Sequence, residues 1–274
     1  MAEKAPSCPV CDNPLWKTGG NLFLCNSCEI AFNASYRKIS YSDSYFIDDY
    51  RNQYGKTYFE DFNNIYSLSK KRLDKIISLM PSVKAPGKLK LMDIGSAAGF
   101  FLKCALDSGI KNLTGVEISD FASDYCKREF GINVLNGSFD DQVTGMNFDI
   151  VTAWLFIEHC EDPMAVLLKI YDALNDGGVF AFSTVSIHGP LFRRHHDEWI
   201  QTHPVDHRID FSPRGARIAL KKAGFKKVYV YPSGFHPERV VDKKSTFFDS
   251  FSRLYRIYSR LAVYSDTIEV FAVK

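Results

Sequence analysis

"LMDIGSAAGF", residues 91–100, ends an apolar run on the acidic Asp93 and follows it with Gly95, Ala97 and Gly99. The run predicts a β-strand, and the small residues predict a tight turn into a helix. A dinucleotide-binding turn is written G-x-G-x-x-G, so that the backbone can approach a pyrophosphate. Counted from Gly95, this chain has Ala97 at the second glycine position and Phe100 at the third. Phe100 is too bulky for the close helix–strand approach that the third glycine serves. A Walker loop is excluded too, because no Gly-Lys-Ser/Thr follows. What remains suits a cofactor with a small zwitterionic end and a nucleoside. Asp93 would order the loop or meet an ammonium group, and the N–H groups of the helix start would receive a carboxylate. Glu117, 24 residues beyond Asp93 at the end of "TGVEIS", is expected to accept hydrogen bonds from both ribose hydroxyls.

Working outward, strands are predicted at "KLKLMDIG", "NLTGVEIS", "NVLNGS", "FDIVTAW", "GVFAFSTV", "KVYVYPS" and "TIEVFAVK". Amphipathic helices are predicted at 99–108, 120–130, 163–174 and 213–223, with Pro163 at a first-turn position. This alternation predicts an α/β fold, a Rossmann-like doubly wound seven-stranded sheet, and the cysteine pairs Cys8/Cys11 and Cys25/Cys28 ahead of it predict a small N-terminal zinc ribbon. The domain reading is a ribbon over 1–40, a helical lid or linker over 41–80, and the main domain over 81–274. Two insertions interrupt the main domain. Residues 186–211 form a His-rich loop. Residues 237–262 carry a helix with Phe247, Phe248, Phe251, Leu254, Tyr255, Tyr258 and Leu261 on one side, read as a packing or dimer face.

The chain has 274 residues, enough for one substantial domain plus a small appendage. Its net charge of +2 makes no electrostatic case for nucleic acid or an anionic membrane. No apolar run approaches the ~18 residues of a membrane span, and "MAEKAPSCPV" lacks the apolar core of a signal peptide. A cytoplasmic protein is therefore expected. In a reducing compartment Cys104, Cys126 and Cys160 read as small core residues.

Cys8-x-x-Cys11 and Cys25-x-x-Cys28 are different: two knuckles separated by 13 residues that contain a turn, "TGG", and a strand, "NLFLC". Four thiolates so arranged can close a tetrahedral Zn²⁺ site with no open position, which makes the ion structural. A segment of this length cannot bury a sufficient core without such a staple.

The motifs together resemble the class I S-adenosylmethionine-dependent methyltransferases. Asp93, Gly95, Ala97 and Gly99 match their first motif with one departure, at Ala97. Glu117 matches the acidic second motif, "NGSFDD" at 136–141 falls where adenine is held, and "FDIVTAWLFIEHCEDP" matches the fourth-strand motif. "LNDGGVFAFST" and "HPVDHRIDFSPRGARIALKKAGF" complete the series, so that the resemblance covers about residues 45–274. It implies an antiparallel last strand and S-adenosyl-L-methionine as cofactor. It also implies binding positions at Asp93, Gly95, Ala97, Gly99, Phe100, Glu117, Ile118, Ser138, Phe139 and Trp154. The aromatic stretch Tyr45–Tyr58 would lie over the cofactor as a lid. N-terminal Cys₄ elements occur on relatives that modify sugars and polysaccharides, which implies a small-molecule or glycan acceptor methylated at oxygen or carbon. The alternative is a ribosomal or transfer RNA base methyltransferase whose ribbon grips RNA. Against it, residues 1–40 carry Lys4, Lys17, Arg37 and Lys38 opposite Glu3, Asp12 and Glu29, a net of +1.

Methyl transfer from a sulfonium is an in-line displacement, helped chiefly by positioning and, for a hydroxyl acceptor, by a general base. All seven histidines lie at or beyond residue 159. His159 and Glu158, in "IEHCEDP" just after the fourth strand, and His207 in the loop after the fifth are the candidate catalytic residues, with His203 behind them. His195 and His196 read as solvent-facing or substrate-contacting. The His203-x₃-His207 pair, with Asp206 and Asp210 beside it, is not convincing as a ligand set, so a catalytic metal is not expected.

Overall fold

The computed structural model of the chain describes residues 6–39, 44–81, 84–142 and 145–274. Glu3, Lys4, the 40/41 boundary and part of the break at 81–87 lie outside the described residues.

The chain opens with three short strands, β1 (Trp16–Gly19), β2 (Leu22–Cys25) and β3 (Ile30–Asn33). Helices α1 (Tyr50–Tyr54) and α2 (Phe62–Leu79) follow. The alternating part comprises β4 (Lys90–Ile94), α3 (Phe100–Asp107), β5 (Asn112–Glu117), α4 (Asp120–Phe130), β6 (Val134–Asn136), α5 (Phe139–Gln142), β7 (Phe148–Trp154), α6 (Pro163–Ala173) and β8 (Leu174–Val185). Then come α7 (Pro190–Arg194), α8 (His196–Thr202), β9 (Ile209–Phe211), α9 (Pro213–Lys222), β10 (Lys227–Ser233), α10 (Phe248–Ala262) and β11 (Thr267–Val273).

Local chemistry accounts for the helix bounds. Ser119 caps α4 by accepting from the Ala122 N–H, and Gly131 ends it at φ 67°. Ser212 caps α9 through the Gly215 N–H, with Pro213 in the first turn. The mixed sheet has the order β10-β11-β8-β7-β4-β5-β6, its last strands antiparallel. β4, β5, β6 and β7 pair in parallel, in the register Asp93↔Gly115, Asp93↔Thr152 and Glu117↔Asn136. β4 and β7 are apolar on both faces, as central parallel strands must be, and Leu91, Met92, Ile94, Ile150, Val151 and Ala153 are fully buried.

Two compact units can be described separately. One comprises Ile39–Trp154, Lys169–Ala181 and Val273–Lys274; the other comprises Met1–Lys38, Leu155–Leu168 and Phe182–Ala272. The second unit holds a four-stranded antiparallel sheet, β1-β2-β3-β9. Its fourth strand comes from the 186–211 segment, in the register Ile30↔Phe211, Ala31↔Asp210 and Phe32↔Ile209. The His-rich segment expected as a loop is thus largely regular, forming α7, α8 and β9. Its apolar residues were the missed signal: Ile187, Phe192 and Trp199 pack with Leu22 and Ala31 into one core cluster. The face assigned to α10 is also only partly packed. Tyr255 is buried, whereas Phe247, Leu254, Tyr258 and Leu261 are exposed. No helix among the described residues is long and apolar enough to cross a membrane.

Candidate functional site

The turn after β4 is built on left-handed backbone at Gly95 (φ 65°), Ala97 (φ 48°) and Gly99 (φ 80°). A side chain at Gly99 would run into Cys126 of α4. Gly99 therefore serves the close helix approach for which a third glycine was sought at position 100. The Phe100 ring, expected to obstruct that approach, packs beside it, edge-on to Tyr125 and Phe130 of α4 with centroids 6.2 Å apart. It stacks on Tyr58 with centroids 4.9 Å apart and meets Phe62 edge-on at 4.9 Å. Phe46, almost fully buried, packs on Tyr58 and Phe59, which joins the Tyr45–Tyr58 stretch to the same aromatic cluster.

Glu117 closes the turn. Its carboxylate accepts from the Ala97 N–H at 2.8 Å and the Ser119 N–H at 2.9 Å, one bond on each oxygen. Burial nevertheless raises its pKa, because the backbone bonds offset only part of the desolvation. Asp93, 2% exposed, accepts from the Thr152 hydroxyl at 2.6 Å. Burial pushes its carboxyl up to about 7, against the pull of Thr152 and of the Arg72 charge. Arg72, on α2, was not singled out by the sequence; its guanidinium lies 4.1 Å from the centroid of the Trp154 ring. A basic residue among Lys70, Lys71 and Lys75 gives no periodic signal that it turns inward.

Asp93, Glu117, the segment after Asn136 and Trp154 all fall at the C-terminal ends of adjacent strands β4, β5, β6 and β7. Ligands bind at that edge of open α/β sheets. Ile118 is exposed there, Ser138 donates to Asp141 at 2.6 Å, and Phe139 is buried under the Lys169 ammonium at 5.1 Å. S-adenosylmethionine fits this edge on three counts. Each Glu117 oxygen retains acceptor capacity beyond its backbone bond. The first turn of α3 supplies helix N–H groups with no intrahelical partner. Trp154 Nε1 is buried without a hydrogen-bond partner.

In the other unit, Glu158 and His159 follow β7 in a short helical turn and meet the segment that leads into β9. A donor atom from each of Glu158, His159 and His207 lies within 4.8 Å of the other two, and the same holds for His203, His207 and Asp210. His159 Nδ1 is 3.0 Å from a carboxylate oxygen of Asp206, and His207 Nδ1 is 3.4 Å from Asp210 Oδ1. His203 Nε2 reaches Asp210 Oδ2 at 2.6 Å. Burial alone would raise Asp210, but the two histidines hold it down at about 2. Burial alone would lower His207, yet Asp210, Glu158 and Asp206 raise it. Glu158 is raised by burial against the charges of His159 and His207. Glu158 is fully buried, and neither of its carboxylate oxygens has a hydrogen-bond partner. The remaining four histidines have other partners: His188 Nδ1 lies 3.3 Å from the Arg193 guanidinium, His196 bonds Thr18 at 2.8 Å, His195 the Arg239 carbonyl at 2.7 Å, and His236 pairs with Glu238 at 3.0 Å. His196, expected toward solvent or substrate, is a half-buried tie to β1. Asp206 escaped the sequence reading as a partner of His159, which lies 47 residues away and is brought to it only by the fold, whereas Asp210 follows His207 by three residues and was open to a reading from spacing.

The four knuckle sulfurs lie within 4.8 Å of one another, with Cys11 and Cys25 Sγ at 3.6 Å. Zn–S bonds of ~2.3 Å place tetrahedral sulfurs about 3.8 Å apart. Val10 N–H points at Cys8 Sγ and Cys28 N–H at Cys25 Sγ, each at 3.4 Å, an arrangement that stabilises thiolates. Burial pushes the Cys8 thiol up to about 12, a cost that a bound cation would offset. The cluster fits a Zn²⁺. It is anchored beyond the ribbon: Gly215 of α9 lies so close to the Cys28 and Glu29 carbonyls that a Cβ there would approach them to 2.7 and 2.8 Å. The Lys222 ammonium donates to the Val10 carbonyl.

Comparison with known proteins agrees with this architecture. A family model described as a methyltransferase domain matches residues 65–230. A curated relative, the ubiquinone biosynthesis O-methyltransferase of Actinobacillus pleuropneumoniae serotype 7 (strain AP76), is 26% identical over 138 residues. That alignment takes in 46% of this chain and 56% of the relative, so the match spans about half of each. A SAM-dependent methyltransferase structure from Archaeoglobus fulgidus superposes with a TM-score of 0.55 at 19% identity, covering 79% of this chain and 98% of that one. A Thermotoga maritima structure, a SAM-dependent methyltransferase described as a possible histamine N-methyltransferase, gives 0.53 at 21% identity, covering 82% and 96%. With the matched segment exceeding half of its length and the strand order and glycine turn in place, this chain belongs to the S-adenosylmethionine-dependent methyltransferases of the methyltransferase domain family.

Proposed function

We propose that the protein transfers a methyl group from S-adenosylmethionine to a small-molecule or glycan acceptor, at a sugar hydroxyl or an activated carbon. The observation that carries this reading is the buried Glu158 carboxylate set beside the partly exposed His159 and His207. Transfer to a group without an ionisable proton needs only positioning, whereas a hydroxyl or acidic carbon must lose a proton as the new bond forms. The cofactor, when bound, supplies an electrophilic methyl on sulfonium sulfur. Glu117 would hold the ribose hydroxyls, and Asp93 with the start of α3 the amino-acid end. Ile118, Ser138, Phe139 and Trp154 would flank the adenosyl group. Gly95, Ala97, Gly99 and Phe100 shape the turn, and the Tyr45–Tyr58 stretch acts as its lid. His159 and His207, backed by Asp206 and Asp210, manage the acceptor's proton, with Glu158 between them. The curated relative is named an O-methyltransferase, in keeping with a hydroxyl acceptor. The Cys₄ ribbon is structural, the compartment is the cytoplasm, and the division into 1–40, 41–80 and 81–274 remains part of this reading.

The test is comparative mass spectrometry of small-molecule extracts from a deletion strain, paired with turnover of purified variants. Metabolites lighter by one CH₂ are expected in the mutant. His159→Gln or His207→Gln should slow turnover ~10²–10⁴-fold with cofactor affinity nearly intact. If ribosomal RNA from the deletion strain instead lacks a methyl group that the enzyme restores, the small-molecule reading is wrong.

A further inference from the structure

We infer that Glu158, His159 and His207 form a second metal site, distinct from the Cys₄ knuckles, which takes a divalent first-row transition-metal ion. The inference builds on the proton-handling role given to these residues above and changes how they would perform it.

Three observations converge. The first is the donor set: two imidazoles and one carboxylate, with donor atoms within 4.8 Å of one another. Ligands ~2.1 Å from a shared ion lie about 3–4 Å apart, so small side-chain rotations close the set. The second is what stands behind each imidazole. His159 Nδ1 is 3.0 Å from an Asp206 carboxylate oxygen, and His207 Nδ1 is 3.4 Å from Asp210 Oδ1, with Asp210 itself tied to His203 Nε2. At His159, Nδ1 faces both the carbonyl and the carboxylate of Asp206 at 3.0 Å, which selects the tautomer whose lone pair is on Nε2. At His207 the carboxylate stands behind the ring, but neither Nδ1 nor Asp210 Oδ1 has a hydrogen-bond partner. Metal-ligating histidines are held in this way, with a carboxylate behind the ring. The third is Glu158. It is completely buried, and both carboxylate oxygens lack a partner, although it faces two imidazoles. A buried carboxylate left without hydrogen bonds is costly, and a cation beside it would remove that cost.

The mixed nitrogen and oxygen donors favour Mn²⁺, Fe²⁺, Co²⁺ or Zn²⁺ over Mg²⁺ or Ca²⁺, which prefer oxygen alone. Three protein ligands leave positions open for a further oxygen donor, and the His159 side chain is 24% exposed while Glu158 closes the site from within. A cation so placed would lower the proton affinity of an acceptor hydroxyl. The imidazoles would then hold the ion, and the acceptor's proton would pass to solvent water at the exposed edge of His159.

The experiment uses the full chain loaded with a single equivalent of Zn²⁺ for its four thiolates, freed of excess Zn²⁺, then titrated with Mn²⁺ alone while the free-ion electron paramagnetic resonance signal is followed. One Mn²⁺ per chain should bind, and Glu158→Gln should weaken binding by at least ~10–100-fold. His207→Asn, checked for folding by circular dichroism, should do the same and covers the case in which the Glu158 variant fails to fold. Wild-type protein that leaves the Mn²⁺ signal undiminished, or binding that neither variant weakens, would overturn the inference. Because neither cofactor nor acceptor is present, the outcome is independent of whether methyl transfer is observed. A chain that binds Mn²⁺ here but methylates nothing would refute the proposed function and leave the metal site standing.

Discussion

Replacing Asp93 with Asn should stabilise the ligand-free protein at pH 8 while removing cofactor binding. Asp93 is 2% exposed and bonded to the Thr152 hydroxyl, and its burial raises it from the ordinary ~3.9 to about 7. Between those two values the folded state holds a proton that the unfolded state has released. Stability must therefore fall as pH rises from about 4 to 7, and level off above. A shift of about three pH units corresponds to at most about 4 kcal/mol, at ~1.4 kcal/mol per unit. Asn keeps an oxygen to accept from Thr152 and carries no charge to desolvate. At roughly 2–4 °C per kcal/mol, the variant should melt on the order of 10 °C above wild type at pH 8 and about level with it at pH 4. The charges that act on Asp93 are Arg72 and Glu117, and both remain in the variant. The assay is thermal melting of the ligand-free chain from pH 4 to 8, repeated with S-adenosylmethionine. Wild type should gain stability from the cofactor and the variant should not. Melting curves for the two proteins that run parallel across the whole range would refute the burial argument.

Glu117→Ala should weaken S-adenosylmethionine binding by roughly 10²-fold or more in calorimetry, since two charge-assisted bonds are lost along with the bonds that hold Ala97 and Ser119. Unchanged affinity would show that the ribose lies elsewhere. Gly99→Ala should destabilise by more than about 2 kcal/mol in urea unfolding, because it combines left-handed backbone with a collision at Cys126. Ala97→Gly, by contrast, should be neutral or stabilising by up to about 1 kcal/mol, as it relieves φ 48° at the price of unfolded-state entropy. One Zn²⁺ per chain should co-purify on Cys8, Cys11, Cys25 and Cys28, and chelation should raise hydrogen exchange in β1–β3 and also in β9. Iron in its place, or β9 remaining protected, would count against the assignment.

The seven strands of the main sheet and the helices at 100–107, 120–130, 163–173 and 213–222 follow from periodicity and capping, because their burial is dictated locally. The Asp93 turn and Glu117 were legible for the same reason: the backbone demands of a tight strand-to-helix turn are written in adjacent residues. The 186–211 segment was not. Its short elements are helices of five and seven residues and a strand of three, too brief to show a period. They are held by Leu22, Ala31 and the ladder to β3, which no window of sequence contains. Glu158 could be named but its burial could not, and the pairing of His207 with Asp210 three residues on could have been proposed from spacing alone. Arg72 has no local signature, since an inward-turned cation is disclosed only by the ring it covers.

The ladder between β3 and β9 also orders events during synthesis. Ile30 pairs with Phe211, so the ribbon's third strand must wait for about 180 further residues before its neighbour exists. At ~5–20 residues per second that interval is roughly 10–35 s. The knuckles can take up zinc early, but β3 meanwhile presents an unpaired edge, the kind of surface that recruits strands from other chains. Once β9 arrives, its backbone fills that edge as its Asp210 side chain reaches His203 and His207. Closing the aggregation-prone edge and assembling the histidine cluster are then a single late event, so a chain stalled before residue 211 would expose the one and lack the other.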